Sequence, residues 1–188
     1  MAAGLIALAI ETRTAYSDLV RRSEVDLLTD VQNRFSFEQR VDTQIKFARQ
    51  SASIFGIIYI DLNDFKQVND VYGHRVGDLY LQEVARRMKR QLRPSDVLAR
   101  LGGDEFAVLV CEVGSRAQVD EIALRLQHCF DEPIEVAESV VQGSASLGVA
   151  LYPKDAHTRD SLIGAADSAM YEVKNARPNR NHTPGDGE

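Results

Sequence analysis

Two groups of acidic residues are spaced to bind a charged ligand. Asp61 closes the apolar run 54–60, and Asn63, Asp64, Lys66, Asn69 and Asp70 follow within nine residues. Asp104 and Glu105 come directly after Gly102 and Gly103, between two short apolar runs. Carboxylates crowded together repel unless a cation lies between them, and sites built of oxygen alone suit Mg²⁺ or Mn²⁺. Mg²⁺ takes one or two carboxylates and completes its shell with substrate phosphates. The segment after Asp61 reads as the start of a short helix. The first N–H groups of a helix lack intrahelical acceptors and favour an anion. Gly102 and Gly103 remove side-chain bulk, so a ligand can approach the backbone there. Strand end, acids and helix start together would make a triphosphate site. Spacing alone also allows a plainer reading, with Asp61 a strand-end acid and residues 63–70 a solvated capping turn.

These groups can meet only if particular elements carry them. The run 54–60 contains four isoleucines and reads as a strand buried on both faces. The runs 97–101 and 106–111 read as a β-hairpin turning at the glycines. If that hairpin pairs beside the first strand, Asp61 meets Asp104 and Glu105 at one edge of the sheet. Phe37, Val41, Ile45 and Ala48 mark a helix with Asn33 as its N-cap. Leu81, Val84, Ala85, Met88 and Leu92 mark a second helix, stopped by Pro94. Val119, Ile122, Ala123, Leu126 and Phe130 mark a third. Residues 134–136 and 141–151 read as strands, and Leu162, Ala166, Ala169, Met170 and Val173 mark the last helix. This order predicts an α+β fold of ferredoxin-like class, one sheet with helices packed on it.

Residues 5–28 read as one helix with a stripe at Leu5, Leu8, Thr12, Ala15 and Leu19. It packs on its own domain or pairs with a second copy and passes on a signal. The apolar start, residues 2–10, reads as the end of a preceding domain, so the chain reads as a piece of a longer protein. The division is therefore a linker helix over 1–27, one compact domain over 28–180 and a frayed polar tail over 181–188. The chain has 188 residues, the length of one domain plus an extension. No apolar run reaches the ~18 residues of a membrane span, and residues 1–10 lack the basic stretch of a signal peptide. The net charge of −6 disfavours long-range attraction to nucleic acid or an anionic membrane. Cys111 and Cys129 lie in apolar segments without a C-x-x-C pair and read as buried free thiols in a reducing cytoplasm.

The residues also carry a family pattern. L-G-G-D-E-F at 101–106 is the signature of the GGDEF family, the diguanylate cyclases. D-L-L-T-D-V-Q-N-R at 26–34 resembles the family's opening motif. I-D-L-N-D-F-K-Q-V-N-D at 60–70 resembles its metal and nucleotide segment, and Y-G-H-R-V-G-D at 72–78 resembles F-G-H-x-x-G-D. The resemblance covers roughly residues 26–180, with four motifs in order.

The resemblance implies a palm-type nucleotidyl cyclase fold with a mostly antiparallel central sheet. It implies an enzyme that condenses two GTP into cyclic di-GMP and releases pyrophosphate, with Mg²⁺ or Mn²⁺ as cofactor. Asp61 matches a metal ligand and Leu62 a carbonyl ligand. Asp104 matches a metal ligand and general base, and Glu105 the other signature acid near the metals. Asn69 and Asp78 match residues that bind the guanine edge. The N–H groups of Asp64 and Phe65 match phosphate contacts, and Lys66, Lys174, Gly102 and Gly103 also match substrate-binding positions. Each domain holds one GTP, so the working unit is a homodimer, fed by an upstream sensory domain. Arg93 and Asp96 resemble the family's R-x-x-D product-inhibition site; the plainer reading of that pair is a surface salt bridge after a helix end.

One departure stands out. The family's closing K-x-x-G-R-N-R reads K-N-A-R-P-N-R here, residues 174–180, so Pro178 replaces a phosphate-binding arginine. That predicts weaker GTP binding with the chemistry retained. It leaves room for a second reading, a non-catalytic GGDEF module that binds cyclic di-GMP or GTP and relays a signal. A palm-like cyclase acting on another nucleotide is a third, disfavoured by Asn69 and Asp78. Arg86, Arg87, Lys89 and Arg90 read as a solvated helix face, and His74 as a turn residue. Tyr72, Tyr80 and Tyr171 read as core or rim positions.

Overall fold

The computed structural model describes residues 24–176. The elements are β1 (Gln32–Asn33), α1 (Arg34–Ser51), β2 (Ile54–Leu62), α2 (Phe65–Tyr72), α3 (His74–Arg90), β3 (Val97–Gly102), β4 (Glu105–Val113), α4 (Arg116–Gln127), a 3-10 turn (His128–Phe130), β5 (Ile134–Val136), β6 (Ser139–Val141), β7 (Ala145–Tyr152) and α5 (Arg159–Asn175). The five-stranded sheet has the order β1-β3-β4-β2-β7, and β5 and β6 form a separate ribbon. Among the described residues only the β1–β3 pair is parallel.

β2 lies between β4 and β7, and helices cover it on both faces. A strand in that position needs apolar residues at every place, which explains the unbroken run. Ile58, Ile60 and Leu62 face α3 and α4, packing with Leu81, Val84, Met88, Val119 and Ile122. Phe55, Ile57 and Tyr59 face α1 and α5, packing with Phe37, Val41, Leu162 and Met170. Side chains alternate along a strand, so Asp61 shares the α1/α5 face with Tyr59. Glu105 is two residues before Ala107 and shares that face as well.

Gly148 on β7 sets how closely α5 can lie on the sheet. A Cβ there would come within 2.1 Å of the Ala166 carbonyl and of the Met170 N. With hydrogen alone, the helix backbone rests directly on the strand.

The α1 cap is as expected, with the Asn33 side chain accepting from the Ser36 N–H at 2.9 Å. Three expectations need correction. The helix over 5–28 does not extend through its last residues: Val25 makes an antiparallel bridge to Gln32, and a turn follows. Asp26 carries side-chain bonds that a helix could not make there; residues 5–23 of that expectation lie outside the described residues. The strand 141–151 is two strands, β6 ending at Val141 and β7 starting at Ala145. It breaks because β6 pairs with β5 in the separate ribbon while β7 pairs with β2 in the main sheet, and the Ser144 carbonyl, accepting from the Asn63 N–H at 2.9 Å, continues the β2–β7 register by one more bond. Cys111 is only half-buried, next to charged Asp96 and Arg40, while Cys129 is buried. Burial first, then Asp96 and Glu112, push the Cys111 thiol up to about 11.

The basic run on α3 is also not simply solvated. Arg87 donates to the carbonyls of Cys129 (3.0 Å), Glu132 (2.8 Å) and Pro133 (2.9 Å) and so holds the loop after α4. Of the tyrosines, Tyr80 is core, while Tyr72 and Tyr171 are exposed. His74 opens α3 directly after Gly73. Among the described residues no helix is long and apolar enough to cross a membrane.

Candidate functional site

The hairpin pairs beside the first strand. Asp61 lies opposite Glu105 in the β2–β4 register. The Leu62 N–H donates to the Asp104 carbonyl at 3.2 Å, which ties the signature turn to the end of β2. The two acidic groups thus meet at one end of the sheet, on its central strands. On the other flank of β2, Ser146 of β7 is the register partner of Asp61 and is fully buried. The Ser146 hydroxyl donates to Asn63 Oδ1 at 2.8 Å, and Asn63 Nδ2 donates to Ser144 Oγ at 3.0 Å. These bonds fix the strand end where α2 begins.

Asp61 carries a counter-charge from the last helix. Lys174 Nζ lies 2.6 Å from Asp61 Oδ1, and the Asp61 side chain is only 13% exposed. Lys174 sits one turn beyond Met170, whose backbone rests on Gly148, so the close seating of α5 delivers the ammonium. Glu105 meets Arg34 Nη2 at 3.6 Å. Burial first, then Glu105 by charge and hydrogen bond, push the Tyr59 hydroxyl up to about 12. Tyr59 therefore stays protonated and serves Glu105 only as a donor.

α2 starts three residues past the end of β2, with Asp64 as its N-cap in a left-handed conformation (φ 57°). The Asp64 carbonyl accepts from the N–H groups of Gln67 (2.8 Å) and Val68 (3.3 Å). The earlier N–H groups belong to the first helical turn and have no intrahelical acceptor. Lys66 is exposed on this turn, and Gly102 and Gly103 are exposed at the hairpin bend. Gly73 separates α2 from α3, and the corner sets the Asn69 side chain against Gly77, the residue before Asp78.

The acids at this end of the sheet are Asp61, Glu105 opposite it and Asp104 in the tied turn, and all offer oxygen atoms. Among the described residues no group of three or more His, Cys, Asp or Glu side chains is placed to hold a metal ion by itself. The counter-charge of Asp61 in this structure is the Lys174 ammonium.

Arg93 and Asp96 lie beside a separate cavity of about 550 Å³, with Arg40, Lys89, Asp30 and Gln32 also in its wall. Asp96 is not simply a salt-bridge acid. Its Oδ2 accepts from the Arg93 N–H at 3.0 Å and its Oδ1 from the Cys111 N–H at 3.3 Å. The carboxylate clamps the loop 93–96 to β4 and leaves the Arg93 side chain at the cavity.

Sequence reasoning missed Arg100, Arg34 and Tyr59. Arg100 Nε and Nη2 donate to the Gly103 carbonyl at 2.9 and 2.7 Å, and Nη1 donates to Asp26 Oδ1 at 3.2 Å. Asp26 Oδ1 also accepts from the Thr29 N–H at 2.9 Å and the Thr29 hydroxyl at 2.7 Å. Arg34 Nε donates to the Leu101 carbonyl at 3.0 Å. The opening motif is thereby bolted to the signature hairpin. Tyr59 could have been found by parity, two residues before Asp61.

Burial opposes ionisation of Asp26, but the Thr29 bonds and Arg100 outweigh it, and its pKa is lowered. A lowered carboxylate adds stability in full above its ordinary pKa and loses it as the pH falls through the lowered value. Asp26→Asn keeps an oxygen for Thr29 and removes the charge. We expect lower stability at neutral pH and a flatter stability profile below about pH 4, measured by thermal melts across pH. A profile parallel to that of the unaltered protein refutes the assignment.

Residues 23–180 match the family model described as diguanylate cyclase, GGDEF domain. The bifunctional diguanylate cyclase/cyclic di-GMP phosphodiesterase MucR of Pseudomonas aeruginosa is 40% identical over 167 residues, 89% of this chain and 24% of MucR. The GGDEF domain of TpbB (YfiN) from Pseudomonas aeruginosa superposes with TM-score 0.79 at 40% identity, covering 81% of this chain and 90% of that one. The GGDEF domain of DgcB from Caulobacter crescentus, solved with c-di-GMP, gives TM-score 0.75 at 26% identity, covering 84% of this chain and 94% of that one. The chain spans 24% of MucR and 37% of diguanylate cyclase TpbB, the curated relatives it matches here. With the signature turn tied by backbone to the central strand and a profile match across nearly the whole described domain, the chain belongs to the GGDEF domain family.

Proposed function

We propose that this chain is a diguanylate cyclase domain that condenses two GTP into cyclic di-GMP. The observation that carries the reading is the pairing of Asp61 with Glu105 across β2 and β4, with Asp104 bonded by its carbonyl to Leu62. Asp61, Asp104, Glu105 and the Leu62 carbonyl would hold Mg²⁺ or Mn²⁺. The bound metal supplies neutralisation of the pyrophosphate and a lower pKa for the attacking hydroxyl. Asn69 and Asp78 bind guanine. The N–H groups of Asp64 and Phe65, with Lys66 and Lys174, hold the phosphates, and Gly102 and Gly103 leave room for them. Asp104 takes the proton from the 3′-hydroxyl of one GTP. That oxygen bonds to the α-phosphorus of the other, the bond to the β-phosphate oxygen breaks, and pyrophosphate leaves. A second such step closes the ring.

Each copy offers one GTP, so two copies face each other in the working dimer. The chain spans only 24% of MucR and 37% of TpbB, which supports an upstream sensory domain that brings the copies together. Incubation with GTP and Mg²⁺ tests the reading by the appearance of cyclic di-GMP. Binding of GTP or cyclic di-GMP without turnover would establish the receptor reading instead, and product from ATP would establish a different cyclase.

The same proposal includes product inhibition at Arg93 and Asp96. The cavity beside them has a cationic wall from Arg40, Lys89 and Arg93, and guanidinium groups both fork phosphates and stack on bases. Arg93→Ala should leave initial turnover within about twofold and raise the product concentration for half-inhibition by about tenfold or more, a loss of about 1.4 kcal/mol of binding. Progress curves with added product measure this; unchanged inhibition refutes the site.

A further inference from the structure

We propose that Gly77 is a positioning residue whose missing side chain seats the Asn69 amide for recognition of the guanine base. This rests on the reading of Asn69 as a guanine contact. Gly77 is buried in the first turns of α3, a helix of seventeen residues. Glycine inside a helix is disfavoured against alanine by about 0.5–1 kcal/mol, so helix formation alone would select alanine. The space is taken by another residue: a Cβ on Gly77 would lie 1.9 Å from Asn69 Oδ1 and 3.0 Å from its Cγ. The amide therefore rests on the α3 backbone. Gly73 caps α2, its N–H donating to the Asn69 carbonyl at 2.8 Å and closing the last turn of that helix. The main chain of Asn69 is thus held in the last turn of α2 and its side chain against α3, with Asp78 next after Gly77. A seat of this kind matters for a base-reading amide, because two hydrogen bonds to one edge demand a defined plane, and a swung amide loses both.

The test is a double-mutant cycle on the whole chain, with equilibrium binding of GTP and ATP and thermal melting of each protein. The unaltered protein should prefer GTP. Gly77→Ala should weaken GTP about tenfold, equivalent to 1.4 kcal/mol, and leave ATP unchanged. In the Asn69→Ala background, where the clash is gone, Gly77→Ala should cost no further GTP affinity. It should lower the melting temperature in the first background and raise it in the second, since alanine is the better helix former. Equal loss in both backgrounds, or a GTP preference that survives Gly77→Ala, overturns this inference alone. An unaltered protein that does not distinguish GTP from ATP overturns the guanine reading and the inference with it.

Discussion

Asp61→Asn should reduce cyclic di-GMP synthesis about 10³-fold or more while leaving the domain folded. A loss of that size is about 4 kcal/mol of transition-state stabilisation, in the range for removing one charged contact at a reacting phosphate. The substitution keeps size and shape at a buried strand end, so packing between β4 and β7 is retained. What changes is charge: the Lys174 ammonium at 2.6 Å loses its partner, and the oxygen set at the sheet end loses a full negative charge. Lys174 is 42% exposed and can turn to water, so the folding cost should be small. Steady-state rates with saturating GTP, a melt, and a Mn²⁺ binding titration separate the two effects. Synthesis within tenfold of the unaltered rate, with the melt unchanged, would remove Asp61 from the chemistry. It would also remove the reading built on its pairing with Glu105.

Gly148→Ala should destabilise the domain by about 3 kcal/mol, the upper part of the range for overpacking a tight contact. Propensity argues the reverse, since glycine weakens a strand, so the sign of the effect discriminates. The new methyl would meet the Ala166 carbonyl at 2.1 Å, the Met170 N at 2.1 Å and its Cα at 2.7 Å. All three are backbone, and no rotamer change can relieve them. α5 must lift, which strips Leu162, Ala166 and Met170 from the face they share with Phe55, Ile57 and Tyr59. A fall in melting temperature of about 10 °C is expected for a domain of this size. Because Lys174 is one turn past Met170, the same lift should break its pairing with Asp61. GTP affinity measured well below the melting point should therefore fall too. A more stable Gly148→Ala protein would mean that α5 does not rest on the sheet as described.

Local pattern reached a long way in this chain. The unbroken run at 54–60 specified a central strand because covering both faces of a strand leaves no place for alternation. Gly102 and Gly103 specified the hairpin bend, and Asn33 specified the start of α1. The opening helix was overextended to residue 28 because a heptad-like stripe says nothing about tertiary partners. The Asp26–Thr29 bonds are local, but Arg100 reaches Asp26 only when β3 arrives, and the Val25–Gln32 bridge forms where the helix was expected to continue. The break between β6 and β7 was missed for a similar reason. The apolar residues of both strands look continuous, and only the packing shows that β6 pairs with β5 while β7 pairs with β2.

By itself the sequence determined which groups are available: oxygen-rich acids, the amide of Asn69 and the carboxylate of Asp78, a hairpin to carry the signature acids and a family signature. Residue types and short spacings settle such matters, because they reflect side-chain chemistry and the periods of helix and strand. Only the tertiary structure decided what those groups face. It set Glu105 opposite Asp61, brought Lys174 across from α5 over a side-chain-free strand position, and pressed Asn69 onto Gly77. Each of these contacts joins residues from separate elements, and their distances follow from how sheet and helices pack, which no local pattern encodes.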